Sequence, residues 1–166
     1  MFGCRGLKFS MKKLRIYIDT SVIGGCFDPE FKIWSEALME DFRQCRYVPV
    51  ISEVTAAEVE PAPSDVKRLH QELLALPAEE VSVTDDAILL VERYMTHSVL
   101  GHRFYNDMLH IAIATVVEAD VLVSWNFKHI VRLDKIRLFN AVNLESGYKT
   151  LSIYSPREVI SYGTEE

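Results

Sequence analysis

Cysteine is scarce in this sequence, with three in 166 residues, at Cys4, Cys26 and Cys45. The count is odd and no pair has zinc-ligand spacing. That leaves no cysteine-built zinc site and points to a reducing, cytoplasmic setting. Long apolar runs are missing too. None reaches the roughly 18–20 residues that span a bilayer, so no membrane partner is expected. The N-terminus (MFGCRGLKFSMKKLRIYI) is positively charged but lacks an apolar h-region and a small-residue cleavage site, so no signal peptide is expected. Internal repeats and low-complexity segments are absent. So is an excess of positive charge: the net charge is −6. That argues against simple electrostatic binding of nucleic acid, which needs a basic face. A nuclease is not excluded, because a carboxylate site adds negative charge that a bound metal neutralises. Charge must therefore be read locally.

What is present fits one domain. A chain of this length buries roughly 70% of its unfolded surface, enough for a core without staples. Met11, followed by Lys12 and Lys13, looks like the true start. Residues 1–10 are expected to be a flexible extension and residues 11–166 a single domain. Residues 14–18 (LRIYI) read as a buried strand ending at Asp19. Residues 20–30, with Gly24, Gly25 and Pro29, read as a loop. Phe31, Trp34, Leu38 and Phe42 predict a helix over 31–45. Residues 47–51 (YVPVI) read as a second strand, with Pro49 favouring an edge or irregular position. Ser52 is the N-cap expected for a helix over 53–60. Ser64 is expected to cap the next helix, which Pro77 ends. A brief strand over 81–83 follows, and then a helix capped by Thr84. Asn106 is the expected cap of a helix over 107–118, apolar nearly all round and so buried on most sides. Residues 121–124 (VLVS) read as a central strand, 126–140 as wholly or partly helical with a basic face, and 151–154 as a last strand. Strands alternating with helices predict an α/β/α sandwich with a mainly parallel sheet.

In such folds, sites form at the carboxyl ends of the strands. Asp19 directly follows the first strand and Asn126 lies just past VLVS. Asp107 opens the most buried helix, where its charge suits the helix dipole. Glu58 lies about two turns into the helix after the second strand. Three carboxylates held together repel one another unless a cation binds them, and hard oxygen ligands suit Mg²⁺ or Mn²⁺. Taken singly, each residue has a plainer reading. Asp19-Thr20-Ser21 makes a turn, Glu58 is a solvated helix residue, Asp107 is a first-turn charge and Asn126 is a cap. Only their convergence separates the two readings.

The order of IYIDTSVIGG (16–25), PVISEVTAAEVE (49–60), NDMLHIAIAT (106–115) and LVSWNFKHI (122–130), with GYKTLSIYSPREVI near the C-terminus, resembles the PIN-domain family. The likeness is to its VapC-like toxin ribonuclease branch and covers nearly the whole chain after Met11. The resemblance implies a three-layer α/β/α fold and a metal-dependent endoribonuclease that hydrolyses RNA with a metal-activated water. It places Asp19, Glu58 and Asp107 at the first three acidic positions, as ligands of Mg²⁺ or Mn²⁺. Asn126 falls at the fourth, where many members carry Asp, which leaves the second metal in question. Ser21 and Ser124 are expected to support the ligands from behind. An antitoxin protein and a second copy of the chain are the partners the family suggests.

His110, one turn after Asp107, can be read as a general base or as a core histidine with satisfied hydrogen bonds. His129 either contacts substrate or fixes its loop. Arg103, Lys128, His129 and Arg132, with His102, Lys135 and Arg137 nearby, form either a phosphate-binding patch or an ordinary solvated face. Trp34 and Trp125 are expected in the core. Two other functions compete. One is a catalytically weak module of the same fold that binds RNA or a protein. The other is a haloacid-dehalogenase-like phosphotransferase with Asp19 as nucleophile, which requires a second Asp where Ser21 stands.

Overall fold

The apolar run after Lys13 forms strand β1 (Arg15–Ile18) in the computed structural model, which describes residues 12–162. The expected extension over residues 1–10 lies outside the described residues. β1 is the central strand of one all-parallel sheet. The others are β2 (Val48–Ser52), β3 (Glu79–Val81), β4 (Val121–Val123) and β5 (Ser152–Tyr154), in the order β3-β2-β1-β4-β5.

Successive side chains of a strand point to opposite faces, and β1 feeds two cores in this way. Ile16 and Ile18 join a core with helices α1 (Thr20–Gly25), α2 (Lys32–Arg43) and α4 (Ser64–Ala75). Tyr17 joins the other, with α5 (Asp85–Thr96), α6 (Tyr105–Val116) and α7 (Leu133–Glu145). Helix α3 (Glu53–Val59) touches both, through Val54 and Val59. The three layers expected from the sequence are therefore present. Every residue of α6 from Met108 to Thr115 is buried. Each large apolar side chain there stabilises the fold by roughly 1.5–3 kcal/mol relative to exposure.

Several local expectations fail for identifiable reasons. Pro49 is not at an edge, because β2 lies between β3 and β1. The Val48 N–H donates toward β1, at Leu14 O. Alternation then turns the Pro49 nitrogen toward β3, whose pairing starts one residue later, at Val50 with Glu79. The imide is thus spared a ladder bond. The glycine-bearing segment is not all loop, since Thr20–Gly25 is α1. A Cβ on Gly25 would lie 2.5 Å from Ser35 Oγ and 2.7 Å from Trp125 Nε1, so glycine serves close approach here rather than a turn. Helix α6 begins at Tyr105, before the expected Asn106 cap. Residues 126–140 are helical only in part, as one form of the reading allowed: α7 starts at Leu133 and the turn before it is not helical. Strand β3 lies two residues earlier than expected. Ser64 is the first residue of α4 rather than its cap. A short α8 (Pro156–Val159), capped by Ser155 and Glu158, follows β5. Among the described residues no helix is long and apolar enough to cross a membrane.

Candidate active site

The chain steps from β1 to β2 and β3 on one side, then returns to β4 on the other. The carboxyl ends of β1 and β4, where the order reverses, are the usual ligand position in open parallel sheets. Asp19 leaves β1 at this point and is 4% exposed. It holds the N-cap position of α1, yet its side chain caps nothing. Its oxygens turn to two hydroxyls instead. Ser21 Oγ donates to Oδ1 and Ser124 Oγ donates to Oδ2, each at 2.6 Å. Each serine also accepts a backbone N–H from the turn after β4: Ser21 from Trp125 at 2.9 Å, Ser124 from Asn126 at 2.9 Å. The serines thus bind the two strand ends together and aim their protons at Asp19. Burial pushes the Asp19 carboxyl above its usual pKa range and Glu58 adds to the rise, against the pull of His110 and the two hydroxyls.

Glu58 approaches from α3. Its Oε1 accepts from the Thr20 hydroxyl at 3.0 Å and lies 2.5 Å from His110 Nε2. Burial raises the Glu58 pKa. The bond and charge of His110, together with Thr20, outweigh that and hold it below the ordinary value. His110 is 2% exposed. Its Nδ1 lies 2.7 Å from the Tyr17 hydroxyl, which donates to Ser52 Oγ at 2.8 Å. His110 is therefore a core histidine with both nitrogens satisfied, as one reading of the sequence expects. Its partner, however, is a candidate acid.

Asp107 lies in the first turn of α6, and its Oδ2 is 2.9 Å from His129 Nδ1. The His129 ring packs on Phe104, centroids 3.8 Å apart. Asn126 Oδ1 accepts the backbone N–H groups of Lys128 (3.2 Å) and His129 (3.0 Å). Asn126 thereby organises the turn that carries His129. Arg103 and Lys128 lie exposed on either side, with no ion pair among the described residues. Arg132 pairs with Asp134 at 2.7 Å, and Lys135 donates to Val99 O.

Asp19 and Glu58 are thus in electrostatic contact, and Asp107 sits one helical turn from His110 at the same sheet edge. The oxygen donors suit a hard divalent cation. Glu58 Oε2 and Asp107 Oδ1 take no hydrogen bond among the described residues. As arranged, no three His, Cys, Asp or Glu side chains among the described residues form a group able to hold a metal ion. Thr20, Tyr17 and Ser52 were not singled out as site residues from the sequence. Only Thr20, inside the IDTS run, sat beside a recognised acid.

The five-stranded all-parallel sheet between helical layers is a three-layer α/β/α sandwich with a PIN-like fold. No family model matches the chain, and neither does any curated protein. Three of the solved structures to which the chain is similar are the following. The first is VapBC2 from Rickettsia felis bound to a DNA fragment from their promoter, at 13% identity over 86% of this chain and 98% of that one, TM-score 0.53. The second is FitAcB from Neisseria gonorrhoeae, at 15% identity over 87% and 99%, TM-score 0.53. The third is DNA-bound VapBC from Salmonella typhimurium, at 12% identity over 86% and 98%, TM-score 0.53. At these identities the likeness is one of fold.

Proposed function

We propose that this chain is a Mg²⁺- or Mn²⁺-dependent ribonuclease, and that it works as the toxin of a toxin–antitoxin pair. The observation that carries the reading is Asp19. A buried carboxylate at the strand-order reversal, fixed through both oxygens and with no lysine or arginine paired to it among the described residues, is electrostatically incomplete. Asp19, Glu58 and Asp107 are the residues that would hold the ion. When bound, it supplies a Lewis acid for phosphoryl oxygens and lowers the pKa of the attacking water. Ser21 and Ser124 keep Asp19 oriented. Asn126 shapes the turn that brings His129 to Asp107. Arg103, Lys128, His129 and Arg132 would meet the phosphate backbone. The motif order and the fold shared with VapBC and FitAcB complexes support an antitoxin partner, and a second copy of the chain is the other partner proposed.

The test is cleavage of structured RNA with Mg²⁺ or Mn²⁺, for wild type beside Asp19→Asn. A loss on the order of 10³-fold is expected, the several kcal/mol that a metal supplies. Cleavage that survives both EDTA and Asp19→Asn would sink the proposal.

One observation favours a second reading, a catalytically weak module that binds RNA or protein. Glu58 and Asp107 are each already engaged by a histidine, and no three-ligand group is assembled among the described residues. RNA binding in a gel shift, with no turnover in either metal, would select it.

A further inference from the structure

The turn after β4 carries an exposed ring. Phe127 is 50% exposed, although it lies among other aromatics. Its centroid is 6.0 Å from that of Trp125, in an edge-on arrangement, and 6.5 Å from that of Phe31. Phe31 and Trp125 are themselves stacked, 4.3 Å apart. A lone exposed phenylalanine is ordinary on a protein surface. This one is rigidly mounted and adjoins the candidate site. The N–H groups of Trp125 and Asn126 go to Ser21 and Ser124, the two hydroxyls on Asp19. Those of Lys128 and His129 go to Asn126 Oδ1, and that of Phe127 itself to Trp125 O at 2.9 Å. The next side chain, Lys128, is exposed and has no ion pair among the described residues. The loop that leads into Phe31 carries Asp28 and Glu30, both exposed. Charge therefore favours a phosphate at Lys128 and disfavours one beside that loop.

A ring followed by a cation is a pattern that holds single-stranded nucleic acid. A base stacks on the ring and the backbone phosphate meets the cation. In a duplex each base face is covered by its neighbours in the stack, so only an unpaired base has a face to offer. We propose that Phe127 is a base-stacking residue. An unpaired nucleobase of the RNA lies on its ring, and an adjoining phosphate meets Lys128. The inference rests on the reading of this site as one that takes RNA. No ion takes part in it.

The test is binding of a short end-labelled oligoadenylate to the full chain, read by fluorescence anisotropy in EDTA and low salt. Phe127→Ala is expected to weaken it about 10-fold, the loss of one stacked base. Phe127→Leu, which stays apolar but has no flat ring, should weaken it as well. Phe127→Trp should bind at least as tightly as wild type. The same oligonucleotide without bases separates stacking from a disturbed turn. On that abasic strand Phe127→Ala and wild type should bind alike, because no base remains to stack. A loss in Phe127→Ala that is equal on both strands overturns the proposal, and so does no loss on either. If RNA affinity is unchanged in Phe127→Ala while the sedimentation of the free chain shifts, the ring is a contact between copies and the proposal falls. Cleavage with Mg²⁺ or Mn²⁺, measured alongside, keeps the two readings apart. Wild type that cuts RNA while Phe127→Ala binds it equally well overturns the stacking site alone. Wild type that binds through Phe127 but cuts with neither metal overturns the nuclease reading and leaves the stacking site standing.

Discussion

At the amino end of the sheet, Arg15 meets Glu79 through two hydrogen bonds, 2.8 Å from Nε and 2.5 Å from Nη2. Its Nη1 also donates to the carbonyls of Val117 and Glu118, at 3.0 and 2.8 Å. The hydrogen bond to Glu79 leads the rise in the Arg15 pKa, and Arg15 holds Glu79 low in return. At the carboxyl end, Asp19, Glu58 and Asp107 meet only hydroxyls and imidazoles. One strand, four residues long, therefore begins in a closed ion pair and leads directly into a buried acid that pairs with no lysine or arginine among the described residues. Charge at the first end serves the fold. Charge at the second is set among hydroxyls and imidazoles.

The contrast can be broken from either side. Arg15→Ala removes four hydrogen bonds and should destabilise the chain most, by about 3 kcal/mol. Denaturant unfolding with and without Mg²⁺ should give the same difference, because this end has no metal to bind. Divalent cation should act at the other end only. At a concentration 100 times its Kd, Mg²⁺ should stabilise the wild type by about 2.7 kcal/mol, and Asp19→Asn should abolish that gain in melting experiments. Ser124→Ala deletes a donor to Asp19 and the acceptor of the Asn126 N–H, and should cost about 1–2 kcal/mol by chemical denaturation.

The smallest effect is a pH slope. Burial raises the folded-state pKa of Asp19 above its unfolded value. Stability from this group is thus complete below about pH 4 and is lost as pH rises through the raised value. Asp19→Asn removes the slope. In metal-free buffer its melting temperature, relative to wild type, should be about 2–4 °C higher at neutral pH than at acid pH. A flat difference would mean that Asp19 has a counter-ion after all.

The sheet was legible in the sequence because it rests on local pattern. LRIYI and VLV are apolar runs of strand length, and the all-round apolar residues of α6 announced burial. Asp19 was legible for the same reason, as the first polar residue past a buried strand. Helix α1 was hidden because Gly25 is usually a breaker, and its role here depends on Trp125, a hundred residues away. Residues 126–140 read as wholly or partly helical, and they are partly so: α7 begins at Leu133, and the turn before it is not helical. There Asn126 Oδ1 takes the N–H groups that a helix would have used. The pairing of His110 with Glu58 and of His129 with Asp107 left no trace in spacing, since each joins elements brought together only by the sheet.

Both tryptophans of the chain lie in one corner, Trp34 and Trp125, with ring centroids 6.1 Å apart. The Trp125 indole stacks on Phe31 and donates to Ser35, while its backbone N–H is held by the same Ser21 hydroxyl that donates to Asp19. One of the two tryptophan fluorophores therefore sits one side chain away from the buried acid. Any event that reorients Ser21 reaches a fluorophore directly, so the protein carries its own optical gauge of what happens at Asp19, with no label to attach.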